Sequence, residues 1–210
     1  MILGTFNGAN IIALPAKPGF KDLKITQGNT VAVSTNPWTK QQQVYDWMAG
    51  WWEVEVTLPP LTEAQARAWF GFFSELRGQT NVFLIGDPVC AKPTGTPRGA
   101  PLVNGSGQTG YSLDTRGWTA NAPNVLNPGD YIQIGYRLYL NTETVSANSS
   151  GDATLSVWPQ LRSEDATFLD GEAITTHNCV GLFRLKDNSQ SWSTTEAKSY
   201  GFQFSAMEAL

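Results

Sequence analysis

Residues 51–59, WWEVEVTLP, place Trp52, Val54 and Val56 on one side and Glu53 and Glu55 on the other, a period of two that only a strand satisfies. Residues 200–207, YGFQFSAM, repeat the pattern with Phe202, Phe204 and Ala206. Both stretches have one apolar face to bury, so they are expected to pair in one sheet although they lie far apart in sequence. Between them the period changes. In LTEAQARAWFGFFSELRG, residues Leu61, Ala68, Trp69, Phe72, Phe73 and Leu76 recur at three- and four-residue steps, the apolar stripe of a helix over about 62–77 that must lie on a sheet. Thr62 with Gln65 reads as a capping box, Pro59 and Pro60 stop the preceding strand, and Gly78 suits the left-handed position after the last turn.

NVFLIGDP follows as a short buried strand closed by a turn. Residues 91–110, AKPTGTPRGAPLVNGSGQTG, are crowded with Pro and Gly and mark a boundary. Beyond them YSLDT, DYIQIG, RLYLNTETVSA and ATLSVWPQL predict short strands, the last two joined through NSSGD as a hairpin, and GEAITTH and GLFRLKD come next. Short strands with Gly and Asn turns predict a small barrel or sandwich. Because the last strand suits the first sheet, the expected architecture is an insertion, which loop-closure entropy tolerates well. The expected fold is mainly β (α+β): a β-sandwich with one packed α-helix over 1–93 plus 181–210, carrying an inserted small β-barrel or β-sandwich domain over 94–180.

Composition narrows the chemistry. The 210 residues are only 15% charged, with 14 Lys plus Arg against 18 Asp plus Glu. No cluster of basic residues exists to release counterions from a phosphate backbone, so nucleic acid is not an expected binding partner. A basic region leading into an apolar signal core is missing, and no apolar run reaches membrane-spanning length, so synthesis in a cytosol without membrane insertion is expected. Cys90 and Cys179 make neither a disulfide framework nor a metal-site spacing and read as small buried hydrophobes.

Catalytic patterns are weak. His177 and Cys179 would share a strand face with parallel side chains, which does not aim a base at a nucleophile. Asp152, Glu164, Asp165, Asp170 and Glu172 are the acids a glycosidase or cell-wall hydrolase would need, but they sit in turn-like contexts as ordinary solvated residues. No nucleophile elbow, zinc-helix, phosphate-loop or dinucleotide motif occurs. No enzyme activity, cofactor or metal is expected. Eight Trp are the unusual feature. Trp38, Trp47, Trp51, Trp118 and Trp158 are the candidate assembly or surface contacts, since Trp combines a large apolar body with one N–H.

The order of motifs resembles a family. NPWTKQQQVYDWMAGWWEVEVTLPPLTEAQARAWFGFFSELRGQTNVFLIGDP, then PLVNGSGQTGYSLDTRGW, VLNPGDYIQIGYRLYLNTETVSANSSGDATLSVWPQLR and the terminal YGFQFSAMEAL are similar to distal tail proteins and related tail-tip (baseplate) proteins of long-tailed bacteriophages and prophages. The resemblance implies a belt-type sandwich that closes into a homo-oligomeric, hexameric ring, with a small β-domain on its periphery. It further implies a structural virion protein, assembled in the host cytoplasm, joining the tail tube to the receptor-binding tip. Its partners would be further copies of itself, the tail tube protein, the tail-tip hub and the tape-measure protein, with DNA passing as cargo through an axial channel free of basic clusters. The alternative is a carbohydrate-binding module contacting host glycans through Trp118 or Trp158 of the inserted domain.

Overall fold

The structure, a computed structural model, describes residues 1–162, 169–195 and 199–209. Strands β1 (Ile2–Phe6), β2 (Ala9–Ile12), β3 (Asp22–Thr35) and β4 (Gln42–Thr57) precede helix α1 (Glu63–Leu76) and strand β5 (Val82–Ile85). Strands β6 (Gly99–Val103), β7 (Gly110–Trp118), β8 (Tyr131–Ile134), β9 (Arg137–Asn141), β10 (Ala153–Leu161) and β11 (Ile174–Thr175) follow. The chain closes with β12 (Gly181–Leu185), β13 (Trp192–Thr194) and β14 (Tyr200–Glu208). The fold is mainly β with one helix among the described residues, as the alternation predicts. It divides into two compact units, one of residues 1–26, 52–87 and 180–210, the other of 27–51 and 88–179.

The first unit is built on a sheet of order β1-β2-β5-β12-β14-β4-β3, with β13 added to β14. Strand β14 pairs antiparallel with β4, Phe204 opposite Val56 and Ala206 opposite Val54, so the two distant alternating stretches are neighbours. Their apolar faces are buried together with Trp52. Helix α1 covers them: Trp69 meets Phe204 at 6.0 Å, Phe73 stacks on Phe202 at 5.9 Å, and Phe72 meets Phe83 edge-on at 5.6 Å. Burying each such ring stabilises the fold by about 1.5–3 kcal/mol before entropy is counted. Gln65 Oε1 accepts from the Thr62 N–H at 3.0 Å, holding the helix start. The inward small residue is Ala66, not Ala68, because position 66 lies one turn before Trp69 and two before Phe73 whereas 68 points to solvent. At the other end Arg77 already adopts the left-handed conformation (φ 51°) and Gly78 continues it (φ 64°). A Cβ on Gly78 would sit 3.0 Å from the Asn188 backbone, so the turn needs glycine there for space as well as for φ.

The second unit contains a sheet of order β11-β8-β9-β10-β7-β6. A bridge between Leu102 and Ala173, with Val103 N–H donating to Glu172 O at 2.8 Å, ties β6 back toward β11 and nearly closes a barrel. Val103, Leu113, Leu126, Ile132, Tyr139 and Leu155 fill it. The Pro/Gly-rich passage is therefore more than a linker, since β6 lies inside it and Gln108 staples its turn to the carbonyls of Asn104, Gly105 and Asp114. The strand expected through RLYLNTETVSA ends at Asn141; Val145 instead bridges to Leu126, and β10 rejoins β9 at Val157 opposite Asn141. Asp130 fastens the loops, accepting from the N–H groups of Thr94 (2.6 Å), Gly95 (3.0 Å) and Asn127 (2.8 Å) and from the Thr94 hydroxyl (2.9 Å). Burial alone would raise the Asp130 pKa, but these four bonds together hold it below the ordinary carboxylate value.

The observed division differs from the expected one chiefly at residues 27–51, which group with the barrel. Strands β3 and β4 are long: residues 22–26 and 52–57 belong to the first unit, and their continuations, with the turn between them, form a two-stranded arm in the second.

Candidate functional site

The arm is the part of the molecule whose sequence and surroundings disagree most. Val31 and Val33 on β3, and Val44, Tyr45, Trp47 and Met48 on β4, are all large, apolar and exposed, and Trp38 at the tip is 90% exposed. Lys40 and Asp46 are the only charged residues between 27 and 51. A two-stranded ribbon is at best marginally stable by itself in water, so such a surface calls for a cover.

Its root is fastened by side chains of the same unit. Gly50 N–H donates to Gln160 Oε1 at 2.9 Å, Arg162 donates to Gly50 O at 3.0 Å, and Trp158 Nε1 donates to Asn29 Oδ1 at 2.9 Å. Partial burial, then the charge of Asp46 and a hydrogen bond to it, raise the Tyr111 pKa, placing that phenol beside the arm as well. Gly28 is required by its neighbour: a Cβ there would lie 2.4 Å from the Trp51 indole. Near Met48 (φ 50°) the strand kinks, and Asp46 Oδ1 accepts the Met48 N–H at 2.8 Å to hold the kink.

The tip is equally well defined. Asn36 Oδ1 accepts from the N–H groups of Trp38 (2.9 Å) and Thr39 (3.2 Å), while Asn36 N–H donates to Gln41 O at 2.8 Å and Lys40 N–H to Asn36 O at 2.9 Å. Asparagine suits this role because its short amide bonds the backbone two and three residues on. Trp38 is thus held out on a hydrogen-bonded turn.

Of the five candidate tryptophans, Trp38, Trp47 and Trp51 lie on the arm and Trp158 bonds to it. Trp118 requires a correction. It is 4% exposed in the barrel core, its Nε1 donating to Thr115 Oγ1 at 2.8 Å, so it is unavailable for a glycan or a neighbouring subunit. Sequence reasoning missed Val31, Val33, Val44, Tyr45 and Met48. The signal was there: alternation in TVAVST and valine, tyrosine and tryptophan after QQQ, joined by an Asn-Pro turn.

The candidate catalytic groups do not converge. Cys179 is buried, with its thiol pushed up to about 12 mainly by burial, whereas His177 is exposed and bonded to Thr176 at 3.0 Å. They do not share a strand face, because β11 ends at Thr175 and the chain turns at Asn178 (φ 50°). Cys90 is exposed rather than buried, since it lies outside any strand, in the passage after β5. Asp170 is engaged by Arg116 at 3.1 Å and by the Gly105 N–H at 2.9 Å, which lowers its pKa, the backbone bond contributing most. Glu164 and Asp165 lie outside the described residues. Among the described residues no group of three or more His, Cys, Asp or Glu could hold a metal ion, and no helix is long and apolar enough to cross a membrane. No protein-family model matches the chain, and no curated protein sequence matches it.

Proposed function

We propose that this chain is a structural subunit of the tail tip of a long-tailed bacteriophage or prophage, closing with copies of itself into a ring, hexameric in the family it resembles. The ring joins the tail tube to the receptor-facing baseplate around an axial channel. The observation that carries this reading is the arm, a tethered β-ribbon with exposed apolar side chains and almost no charge. Such a surface is costly for a solitary chain and useful for one that meets a neighbour.

Two further features support it. The first sheet ends in two edge strands, β1 and β3, and a head-to-tail contact between different surfaces of identical subunits repeats until the rotation closes. Aromatic residues gather in the centres of such contacts, and the arm supplies Trp38, Tyr45 and Trp47. The role is mechanical: each subunit buries its arm against the next, and the tape-measure protein and then DNA pass through the opening. Tube, hub and tape-measure proteins are the partners of this reading, and the virion is its location. Electron microscopy of the purified full-length protein tests it. The expected images are closed rings of one copy number with a central opening, lost when residues 30–48 are replaced by a short Gly-Ser turn. Rings unaffected by that replacement, or a monomer that degrades peptidoglycan, would overturn it.

A further inference from the structure

The end of barrel strand β10 divides its side chains between two tasks. Val157 and Leu161 fill the barrel core, whereas Trp158, Gln160 and, just past the strand, Arg162 reach the root of the arm. Gly50 gives its N–H to Gln160 Oε1 at 2.9 Å and its carbonyl accepts from Arg162 at 3.0 Å, so barrel side chains bond both of its backbone groups.

These bonds fall where β4 needs them. The N–H groups of Leu58 and Trp52 are bonded to Phe202 O at 3.0 Å and to Glu208 Oε2 at 3.2 Å, and Gly50 belongs to the same alternating series along the strand. Pairing with β14 covers only Glu53 to Thr57. At Gly50 an unbonded N–H and C=O would therefore form a free sheet edge. A Cβ on Gly50 would stand only 3.0 Å from Gln160 Oε1 and from Pro159 Cβ, so the close approach favours glycine.

Two further contacts flank this one. Trp158 Nε1 fastens the other strand of the arm through Asn29 Oδ1, and Tyr111 of β7 is hydrogen-bonded to Asp46, whose Oδ1 also holds the Met48 kink. A single contact would act as a pivot and two as a hinge. Asn29 on β3, with Asp46 and Gly50 on β4, gives three positions that are not in line and leave no axis for swinging.

We propose that the barrel is a bracket for the arm, holding it at one angle so that the two move as a rigid body. An arm held in this way meets its partner already oriented, and less freedom is lost on binding. Every contact lies within one chain, so the bracket goes beyond the ring reading and does not depend on it.

Double electron–electron resonance on the full-length protein, diluted to single chains, tests the bracket. In a Cys90→Ser background, one pair of spin labels joins Thr39→Cys at the arm tip to Ser149→Cys on an exposed barrel turn, and a second joins Thr39→Cys to Val31→Cys within the arm. The bracket variant combines Tyr111→Phe, Trp158→Phe and Arg162→Leu, leaving Gln160 as a pivot. Asn29→Ala with Asp46→Ala removes two of the contacts from the arm side and replaces that variant if it does not fold. The expected result is one narrow arm-to-barrel distance in the parent, about twofold wider in the variant, with the distance inside the arm unchanged. A broad arm-to-barrel distance in the parent, or an equally narrow one in the variant, overturns the bracket. Widening of both pairs also overturns it, since the contacts would then maintain the arm's fold and not its direction. Rings formed by a parent with a broad distance leave the ring reading standing without the bracket. The expected distances in a chain that never forms rings leave the bracket standing without the ring.

Discussion

Strand β4 is one continuous ribbon with two different lives. From Trp52 to Thr57 it alternates buried and half-buried residues, with Trp52, Val54 and Val56 sealed under α1 and against β14. From Gln42 to Met48 every residue is exposed, although Val44, Tyr45 and Trp47 are as suited to a strand interior as their counterparts. Extended backbone serves both halves, on either side of the kink at Met48. What differs is whether the chain itself supplies the second surface: it does so for the inner half, and the outer half is exposed, which the proposed ring would cover with a neighbour.

The largest effect should come from the inner half. Trp69→Ala removes a fully buried ring packed on Phe72, Phe73 and Phe204 and should cost about 3–5 kcal/mol in guanidinium unfolding. Trp38→Ala, by contrast, should change monomer stability by no more than about 0.5 kcal/mol, since the ring touches little within one copy. A Trp38→Ala loss as large as that of Trp69→Ala would erase the distinction between the two halves.

Asp130→Ala comes next, at about 3 kcal/mol, because one change leaves three N–H groups and a hydroxyl without their acceptor. The sign of its pH dependence is fixed by the depressed pKa. The stabilisation is complete above the ordinary carboxylate range and is lost as pH falls through the lower value of the folded state. Stability of the parent minus that of Asp130→Asn should therefore shrink on acidification; a difference that stays constant down to strongly acid pH would contradict the clamp.

Smaller effects should follow at the root of the arm. Gln160→Ala leaves the Gly50 N–H without its acceptor and should cost about 1–2 kcal/mol. It should also speed hydrogen exchange over 44–50 without altering exchange in β14. Thr62→Ala should cost about 1 kcal/mol at the helix cap, since alanine keeps the backbone N–H bonded to Gln65 but loses the side-chain half of the capping box. Equal acceleration of exchange throughout both units by Gln160→Ala would show that the root bond holds the whole fold instead of the arm.

The sheet, the helix and the pairing of the chain's two alternating stretches were legible in the sequence because a single buried face imposes a period on the residues that form it. Val54 and Phe204 announce themselves in this way. The arm was not legible as an arm because the alternation of Val31 and Val33 announces a strand with an apolar face but cannot say that this face, with Tyr45 and Trp47, stays exposed within one chain. Trp118 was misread for a related reason. Its position beside a turn suggests the surface, whereas the bond from its indole N–H to Thr115 lets the whole ring sit inside the barrel. The extent of β6 was hidden by Pro101 and its glycines, residues that ordinarily end strands but are tolerated at the end of this sheet's strand order.

Hydrogen exchange of the purified full-length protein, read by mass spectrometry below and above its assembly concentration, addresses the arm most directly. The account predicts that amides in 29–49 exchange quickly in the dilute chain and become at least tenfold slower in the assembled form, while β14 and the inner half of β4 are protected in both. Assembly that leaves residues 29–49 exchanging as fast as in the monomer would contradict it.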